Sequence, residues 1–318
     1  MINILINDGL CPEGENILHN AGFHIHNQKI DQADLIQEIN HRKIDAIIVR
    51  SATVVDKNVI ESCPTLKLIG RAGLGMNNID MAYAQTKGIE IINTPMASAP
   101  ALAEMVIAHL LSVTRNLYIG NRQFPSEREI GSMKKSCAGG TEITGKTMGI
   151  IGFGHVGQEV AKRALGLGVN VIAYDPYVKE AHIRIDIPNV HNAVVYIHTV
   201  PLNEVLASSD FITLHIPVPA DGKPFISRKE IEIMKTGVIL INVSKAGLID
   251  EQELISALNQ EKIKAAGLDV FNNEPAPLPA LITHPKISVS PHIAGETIEA
   301  QNHIGVELAG QIVQFFKS

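Results

Sequence analysis

The sequence has few cysteines, no long apolar run and no excess of positive charge, and each of these absences excludes a class of protein. Only three cysteines occur among 318 residues, namely Cys11, Cys63 and Cys137. Because this set is odd in number and widely spaced, it fits neither a disulfide framework nor a cluster of metal ligands. We therefore expect free thiols and no bound metal.

No segment stays apolar over the length of a membrane span, and residues 1–8 lack the basic and apolar regions of a signal peptide. We therefore expect a cytoplasmic protein that binds no membrane. The net charge of −6 argues against a general affinity for nucleic acid.

The first 98 residues alternate short apolar strands with helical segments, which is typical of a doubly wound parallel sheet. Strands are predicted at 2–6, 23–26, 46–49, 66–69 and 89–92, and helices at 12–21, at 31–40, directly before Cys63 and at 81–86. Beyond them, Ser98 is suited to cap a helix and Pro100 to lie in its first turn. That helix is apolar on nearly all sides up to Leu117, so we expect it to be buried at an interface.

A glycine-rich turn follows an apolar strand at 147–151 and precedes a helical segment at 158–167. It reads GFGHVG over 152–157. In this pattern the glycines permit a tight turn, a close approach of the backbone to a pyrophosphate and close packing of the helix. Asp175 lies about 20 residues further on, where a carboxylate binds the ribose hydroxyls and repels the extra phosphate of NADP. The pattern predicts a Rossmann fold that binds NAD.

About 145 residues precede this turn, so another domain folds before it. Each part of the chain is long enough to bury its own core, which predicts two α/β domains. An alternating apolar pattern at 182–200 indicates an inserted hairpin, to which the sequence assigns no function.

Three C-terminal segments resemble the signatures of the D-isomer-specific 2-hydroxyacid dehydrogenases in order and spacing. They read LINVSKAGLIDE at 240–251, GLDVFNNEP at 267–275 and SPHIAG at 290–295. The N-terminal segments VRSAT at 49–53 and GRAGLGMNNID at 70–80 are most similar to the family members that oxidise 3-phosphoglycerate. The resemblance covers nearly the whole chain.

The resemblance implies two doubly wound parallel-sheet domains with an active site in the cleft. Residues 1–98 and 291–318 would form a discontinuous, flavodoxin-like substrate domain, and residues 99–290 a Rossmann NAD-binding domain. It also implies a homodimer joined through the NAD-binding domains. A helical segment is predicted at 306–316. Since the chain stops at Ser318 after this segment without a serine-binding module, we expect serine not to inhibit it.

Oxidation of a secondary alcohol needs a base for the hydroxyl proton while hydride leaves for nicotinamide. Histidine titrates near neutral pH, so His292 is the candidate base, with Glu274 orienting it and stabilising its imidazolium form. At the third catalytic position the family usually has arginine, whereas this chain has Lys245. Lysine keeps the charge but loses the planar fork that grips a carboxylate. The replacement of arginine by lysine is compatible with three outcomes, namely a less active enzyme, a different substrate or an inactive protein.

The resemblance assigns further residues to ligands. Asp269 would receive the nicotinamide amide. The complete set expected to contact NAD is Gly152, Gly154, His155, Val156, Gly157, Asp175, His215, Ile216, Pro217, Val243, Ser244, Asp269 and Gly295. The set expected to contact substrate is Arg50, Ser51, Arg71, Ala72, Gly73, Leu74 and Ser98, although the family often has asparagine at the position of Ser98.

Arg50 and Arg71 follow apolar strands, which places them at the edge where α/β sheets bind ligands. Together with Lys134 and Lys135 they could accommodate a phosphate as well as a carboxylate. We therefore predict NAD-dependent oxidation of a D-2-hydroxy acid, most specifically of 3-phosphoglycerate to 3-phosphohydroxypyruvate in serine synthesis.

The same features leave alternatives to the oxidation of 3-phosphoglycerate. Reduction of glyoxylate, hydroxypyruvate or pyruvate is open, whereas oxidation of formate is disfavoured because it needs no partner such as Glu274. An alternative from a different functional class is a binding protein that senses NAD(H), similar to the corepressors of the family.

Overall fold

A computed structural model of the protein describes residues 1–73, 75–127, 129–185 and 193–317. The chain divides into two compact units. Unit 1 comprises Met1–Ser98 and Gly295–Ser318, and unit 2 comprises Ala99–Ala294. The sequence places the second boundary between residues 290 and 291, four residues before the division in the structure.

The described strands are, in chain order, β1 (Asn3–Ile6), β2 (His24–Asn27), β3 (Ala46–Val49), β4 (Leu68–Arg71), β5 (Glu90–Asn93), β6 (Thr147–Ile151), β7 (Asn170–Tyr174), β8 (Glu180–Ile185), β9 (Ala193–His198), β10 (Phe211–Leu214), β11 (Val238–Asn242), β12 (Ile263–Leu268) and β13 (Ile287–Val289). The described helices are α1 (Pro12–Asn20), α2 (Leu35–His41), α3 (Lys57–Ser62), α4 (Met81–Thr86), α5 (Ala99–Thr114), α6 (Leu117–Glu127), α7 (Ile130–Ser136), α8 (His155–Gly166), α9 (Leu202–Ser208), α10 (Arg228–Ile233), α11 (Glu251–Asn259), α12 (Pro279–Ile282) and α13 (Ile298–Lys317).

Unit 1 is built on a parallel five-stranded sheet with the order β2-β1-β3-β4-β5. All four residues of β3 are buried, because apolar layers cover both faces of the sheet. Leu18 of α1 and Leu308 of α13 pack on one face, whereas Leu35 of α2 and Val59 of α3 pack on the other. The chain adds β2 on one side of β1 and then β3 on the other side. The topological switch point therefore lies between β1 and β3, as in flavodoxin-like folds.

Unit 2 has a parallel six-stranded sheet with the order β13-β12-β11-β10-β6-β7. The first strand of this sheet in chain order is β6. The chain adds β7 on one side of β6 and then β10 on the other side. The switch point therefore lies between β6 and β10, and it is there that α/β sheets bind ligands. Two parallel sheets confirm the predicted α/β class.

The hairpin predicted at 182–200 is present as the antiparallel pair β8 and β9, in which Glu180 lies opposite His198. Ala181, Ile183 and Ile197 are buried and join the core of unit 2. Residues 186–192 lie outside the described part of the chain.

Several predicted element bounds are wrong, and local turns explain two of the errors. Helix α2 begins at Leu35 rather than at residue 31, because the backbone N–H of Asp34 closes a turn on the carbonyl of Asp31. Strand β4 begins two residues late, because Leu66 donates to the carbonyl of Cys63. Helix α13 begins at residue 298, eight residues before the segment predicted from position 306. In the described ranges, no helix combines the length and apolarity that a membrane span needs.

Candidate active site

The predicted functional residues of unit 2 follow the carboxyl ends of its parallel strands. Gly152 follows β6, Asp175 follows β7, His215 follows β10, Lys245 lies three residues after β11, Asp269 follows β12 and His292 lies three residues after β13. Carboxyl ends of parallel strands lie on one edge of a sheet, so the fold brings residues from six separate segments to a common edge.

The glycine turn is built for close backbone contacts. Gly152 has a φ of +93°, and a Cβ there would lie 2.3 Å from the carbonyl oxygen of His215. A Cβ on Gly157 would lie 2.2 Å from the carbonyl oxygen of Gly152. Neither position tolerates a side chain without movement of the backbone. His215 and Ile216 lie directly beside the turn, because their atoms are the nearest neighbours of a Cβ at Gly152.

Helix α8 begins at His155, three residues before the predicted start, so its first N–H groups belong to the glycine turn itself. Its N-cap residue Gly154 makes no side-chain capping bond, and no described atom lies within 4 Å of the position that a Cβ would take there. A helix N-terminus with uncapped N–H groups is suited to a pyrophosphate. These features of the turn fit the phosphates of NAD.

The carboxylate of Asp175 is oriented by the backbone around it. One oxygen accepts from the N–H of Phe153 at 2.8 Å, and the other accepts from Tyr177 at 2.8 Å and Val178 at 2.9 Å. Burial works to raise the pKa of Asp175, but the three backbone donors outweigh it and lower that pKa. Asp175 is therefore a fixed anion beside the glycine turn, as discrimination against a 2′-phosphate requires.

Replacing Asp175 by asparagine is expected to narrow the preference for NAD over NADP. The substitution removes the charge but keeps an oxygen for the N–H of Phe153. Losing a charge-assisted hydrogen bond of about 1.5–3 kcal/mol should weaken NAD binding about tenfold or more, with no comparable loss for NADP. Isothermal titration calorimetry with both nucleotides measures this. Asp210→Asn is the matched control, since Asp210 lies directly before β10, at the opposite edge of the sheet, and accepts from the N–H of Thr147 at the start of β6. An unchanged preference in the Asp175 variant would exclude this role.

His215 is a neutral residue at the carboxyl edge of the sheet in unit 2. Its Nε2 lies 3.0 Å from Oγ1 of Thr213, and burial of the ring lowers its pKa to about 3. Its Nδ1 is buried without a hydrogen-bond partner in the part of the chain that the structure describes.

The turn after β11 is held by Asn242, whose Oδ1 accepts from the N–H of Ser244 and whose Nδ2 donates to the carbonyl of Lys245.

His292 and Glu274 form a hydrogen-bonded pair. Nδ1 of His292 lies 2.7 Å from one carboxylate oxygen of Glu274, and the other oxygen accepts from the N–H of Phe271 at 2.9 Å. Glu274 is thus held by the backbone and in turn orients the imidazole. With the Nδ1 proton donated to Glu274, the neutral ring carries its lone pair on Nε2. The His292 side chain is 60% exposed, so Nε2 is accessible to a substrate.

His292 has a φ of +56°, in the left-handed region that costs a non-glycine residue about 1–3 kcal/mol. Asp269 maintains this conformation. Its fully buried carboxylate accepts from the N–H groups of Ile293 at 3.0 Å and Ala294 at 2.8 Å, and from the hydroxyl of Ser290 at 2.5 Å. Asp269 therefore anchors the turn that presents His292, whereas its predicted contact with nicotinamide stays a prediction.

His109 is a buried neighbour of the segment 288–290 that the sequence analysis did not single out. It is buried in α5, and its two ring nitrogens lie 3.1 Å from the hydroxyl of Ser288 and 2.9 Å from the hydroxyl of Ser290. Burial lowers its pKa, and the charge of Asp269 opposes that shift. The only available signal was a polar residue inside a helix that is apolar on nearly all sides.

A largely apolar cavity of about 450 Å³ adjoins the pair formed by His292 and Glu274. Besides the pair, its lining includes Phe271, Pro275, Pro277, Ile282 and Val289. A low-polarity wall strengthens the attraction between the Glu274 carboxylate and an imidazolium.

The predicted substrate residues lie in unit 1. Arg50 follows β3 and Arg71 ends β4, so both lie at the carboxyl edge of that sheet. Ala72 and Ser98 are buried and Ser51 is exposed, while the N–H of Gly73 donates to the Thr94 hydroxyl. Leu74 lies outside the described residues. Gly295, predicted to contact NAD, belongs to unit 1, whereas the rest of that set belongs to unit 2.

The basic residues proposed for a phosphate are divided between the units. Burial lowers the pKa of Arg71, and the neighbouring charge of Arg50 lowers it further. Lys134 and Lys135 lie on α7 in unit 2. The structure thus brings two of the four predicted cations, Arg50 and Arg71, into one charge cluster.

Comparison with known proteins agrees with this geometry. Residues 107–294 match the family model described as D-isomer specific 2-hydroxyacid dehydrogenase, NAD binding domain. The chain is 39% identical over 311 residues to a hydroxypyruvate reductase of Thermotoga maritima, with 96% of each chain covered. It is 37% identical over 313 residues to a D-3-phosphoglycerate dehydrogenase of Methanocaldococcus jannaschii, with 98% of this chain and 57% of the relative covered.

This chain thus spans little more than half the length of that second relative. Among solved structures, an NAD⁺-bound 3-phosphoglycerate dehydrogenase of Entamoeba histolytica superposes with a TM-score of 0.78 at 25% identity. The superposition covers 100% of this chain and 96% of the other.

Proposed function

Because the chain belongs to the D-isomer specific 2-hydroxyacid dehydrogenase family, whose NAD-binding domain it contains, we propose that it interconverts 3-phosphoglycerate and 3-phosphohydroxypyruvate. One observation carries this proposal: the pair of His292 and Glu274, 2.7 Å apart, lies on the same sheet edge as the glycine turn and Asp175. This arrangement supports the proposal, because a residue pair suited to acid–base chemistry and a turn suited to nucleotide phosphates lie on one sheet edge.

The residues have distinct parts in the reaction. NAD, when bound, supplies the acceptor for the hydride that leaves the substrate carbon. Nε2 of His292 takes the proton of the substrate hydroxyl, and Glu274 stabilises the imidazolium that results. Lys245 supplies a positive charge for the substrate oxygen or carboxylate. In the direction of reduction, His292 returns its proton to the same oxygen.

Two cations of unit 1 support a phosphorylated substrate. Arg50 and Arg71 belong to one cluster, and a substrate that carries both a carboxylate and a phosphate needs more than one cation. The likeness to phosphoglycerate dehydrogenases over 98% of this chain agrees with that choice. A place in serine synthesis, a homodimer and a cytoplasmic location belong to the same proposal.

Reduction of unphosphorylated hydroxypyruvate is the second candidate. It is favoured by the hydroxypyruvate reductase that this chain matches over 96% of both lengths. It is also favoured by Glu296, whose carboxylate lies 3.7 Å from the guanidinium of Arg50 and reduces the positive charge available to a phosphate.

An NADH absorbance assay over a panel of 2-keto acids distinguishes the candidates. We expect kcat/KM to be highest for 3-phosphohydroxypyruvate, then lower for hydroxypyruvate, glyoxylate and pyruvate. A higher value for hydroxypyruvate would favour the second candidate. NADH binding without turnover of any member would favour the NAD(H)-sensing alternative instead.

A further inference from the structure

Unit 1 contains a cavity whose lining includes Arg50, a predicted substrate residue, together with residues to which no role has been assigned. It has a volume of about 440 Å³ and is lined by the loop Asp8–Pro12 after β1, by Arg50 after β3, by Glu296 and Thr297 before α13 and by Ile298, Gln301 and Asn302 in the first turns of α13. In the sheet order β2-β1-β3-β4-β5, this is the switch point between β1 and β3, where open α/β sheets bind ligands.

Two residues that line this cavity have buried polar atoms for which the described part of the chain provides no hydrogen-bond partner. They are Nε of Arg50 and Oε1 of Gln301. A buried polar group that stays unpaired is costly, so these atoms are suited to a polar ligand. The charged donor of Arg50 favours an anion.

The two carboxylates at this cavity differ in how firmly they are held. Asp8 has a side chain that is only 5% exposed, and it accepts from Lys29, the Thr53 hydroxyl and the backbone N–H of Arg50. Glu296 is 55% exposed, and its contact with Arg50 is an ion pair at 3.7 Å, longer than a hydrogen bond. Asp8 is a fixed part of the cavity, whereas Glu296 can leave Arg50 at little cost.

We propose that Glu296 is a specificity-determining residue: it is a built-in counter-ion of Arg50 that the anionic tail of a substrate must displace. This inference rests on the proposed function. A phosphate that binds Arg50 has to break the ion pair and then meets the repulsion of the Glu296 carboxylate. A hydroxyl tail meets neither obstacle. Glu296 therefore weakens the selection of phosphorylated over unphosphorylated substrates.

The test uses Glu296→Gln, which removes the charge and keeps the shape. KM is measured for 3-phosphohydroxypyruvate and for hydroxypyruvate with saturating NADH. We expect the ratio of the first KM to the second to fall about twofold to fivefold, as for loss of an exposed charge contact, with the effect on KM rather than on kcat. The change should shrink at high salt, because ions screen exposed charges.

Glu299→Gln is the matched control, since Glu299 is exposed in the first turn of α13, three residues after Glu296, and lies outside the cavity lining. It should leave the KM ratio unchanged. Glu296→Asp, which keeps the charge, should stay closer to the parent than Glu296→Gln.

The outcomes separate this inference from the proposed function. If the parent turns over both substrates but the ratio is the same in Glu296→Gln, the role of Glu296 is excluded and the proposed function stands. If the parent turns over neither, the proposed function fails, and calorimetry with 3-phosphoglycerate and glycerate decides on Glu296. Tighter binding of 3-phosphoglycerate alone by the variant supports the counter-ion, and equal binding overturns it.

Discussion

Replacing His292 by asparagine is expected to lower kcat about 100-fold or more while NADH binds as tightly as to the parent. Asparagine cannot accept the substrate proton, but its amide can still donate to Glu274, which lies 2.7 Å from Nδ1 of the histidine. Asparagine also tolerates the left-handed backbone conformation found at this position, where φ is +56°. The variant should therefore fold with the turn intact. Steady-state kinetics and NADH titration measure both quantities.

His182→Asn is the matched control for this variant. His182 lies on the exposed hairpin strand β8, and its Nε2 bonds a carboxylate oxygen of Glu180 at 2.8 Å, so the same chemical change is made outside the sheet edge. It should keep the turnover of the parent. A His292 variant with an undiminished rate would remove this residue from the mechanism.

Replacing Lys245 by alanine is expected to lower kcat/KM at least about tenfold. The removed interaction is a charge-assisted bond to the substrate, of about 1.5–3 kcal/mol. Lys245→Arg should keep activity and lower KM, because the planar guanidinium restores a bidentate grip on a carboxylate. The turn itself should persist in both variants, since Asn242 holds it through the backbone of Ser244 and Lys245. Kinetics with 3-phosphohydroxypyruvate and hydroxypyruvate measure the effect.

Lys235→Ala provides the comparison, because Lys235 pairs with Asp210 just before β10, at the opposite edge of the sheet. It should have no effect on kcat/KM. If the alanine variant at Lys245 is as fast as the parent, the assignment carried over from the family fails at this position.

Local features of this protein could be predicted from its sequence. The glycine turn at 152–157 needs glycine because of contacts with its immediate surroundings, and short apolar runs such as β3 and β6 have the bounds that the pattern predicts. The pairing of His292 with Glu274 followed from a family resemblance, and the structure places their atoms 2.7 Å apart. In each case the information lies within a short stretch of chain or a known motif.

Element bounds were harder to predict, because turns that close over three residues compete with helices and strands. The late starts of α2 and β4 arise from single backbone hydrogen bonds, which composition and periodicity do not reveal. The prediction misses the first two turns of α13, because these turns contain fewer apolar residues than the segment after position 306 and so give a weaker helical pattern.

The sequence by itself determined the α/β class and the NAD fingerprint and singled out His292 and Glu274 as the candidate acid–base pair, because these depend on local propensity and on motifs. Only the tertiary structure decided what supports them. His109 reaches Ser288 across 179 positions of sequence, Asp269 holds the turn of His292, and Glu296 meets Arg50. Such contacts form when packing joins distant segments, and no local pattern encodes which polar side chains then meet.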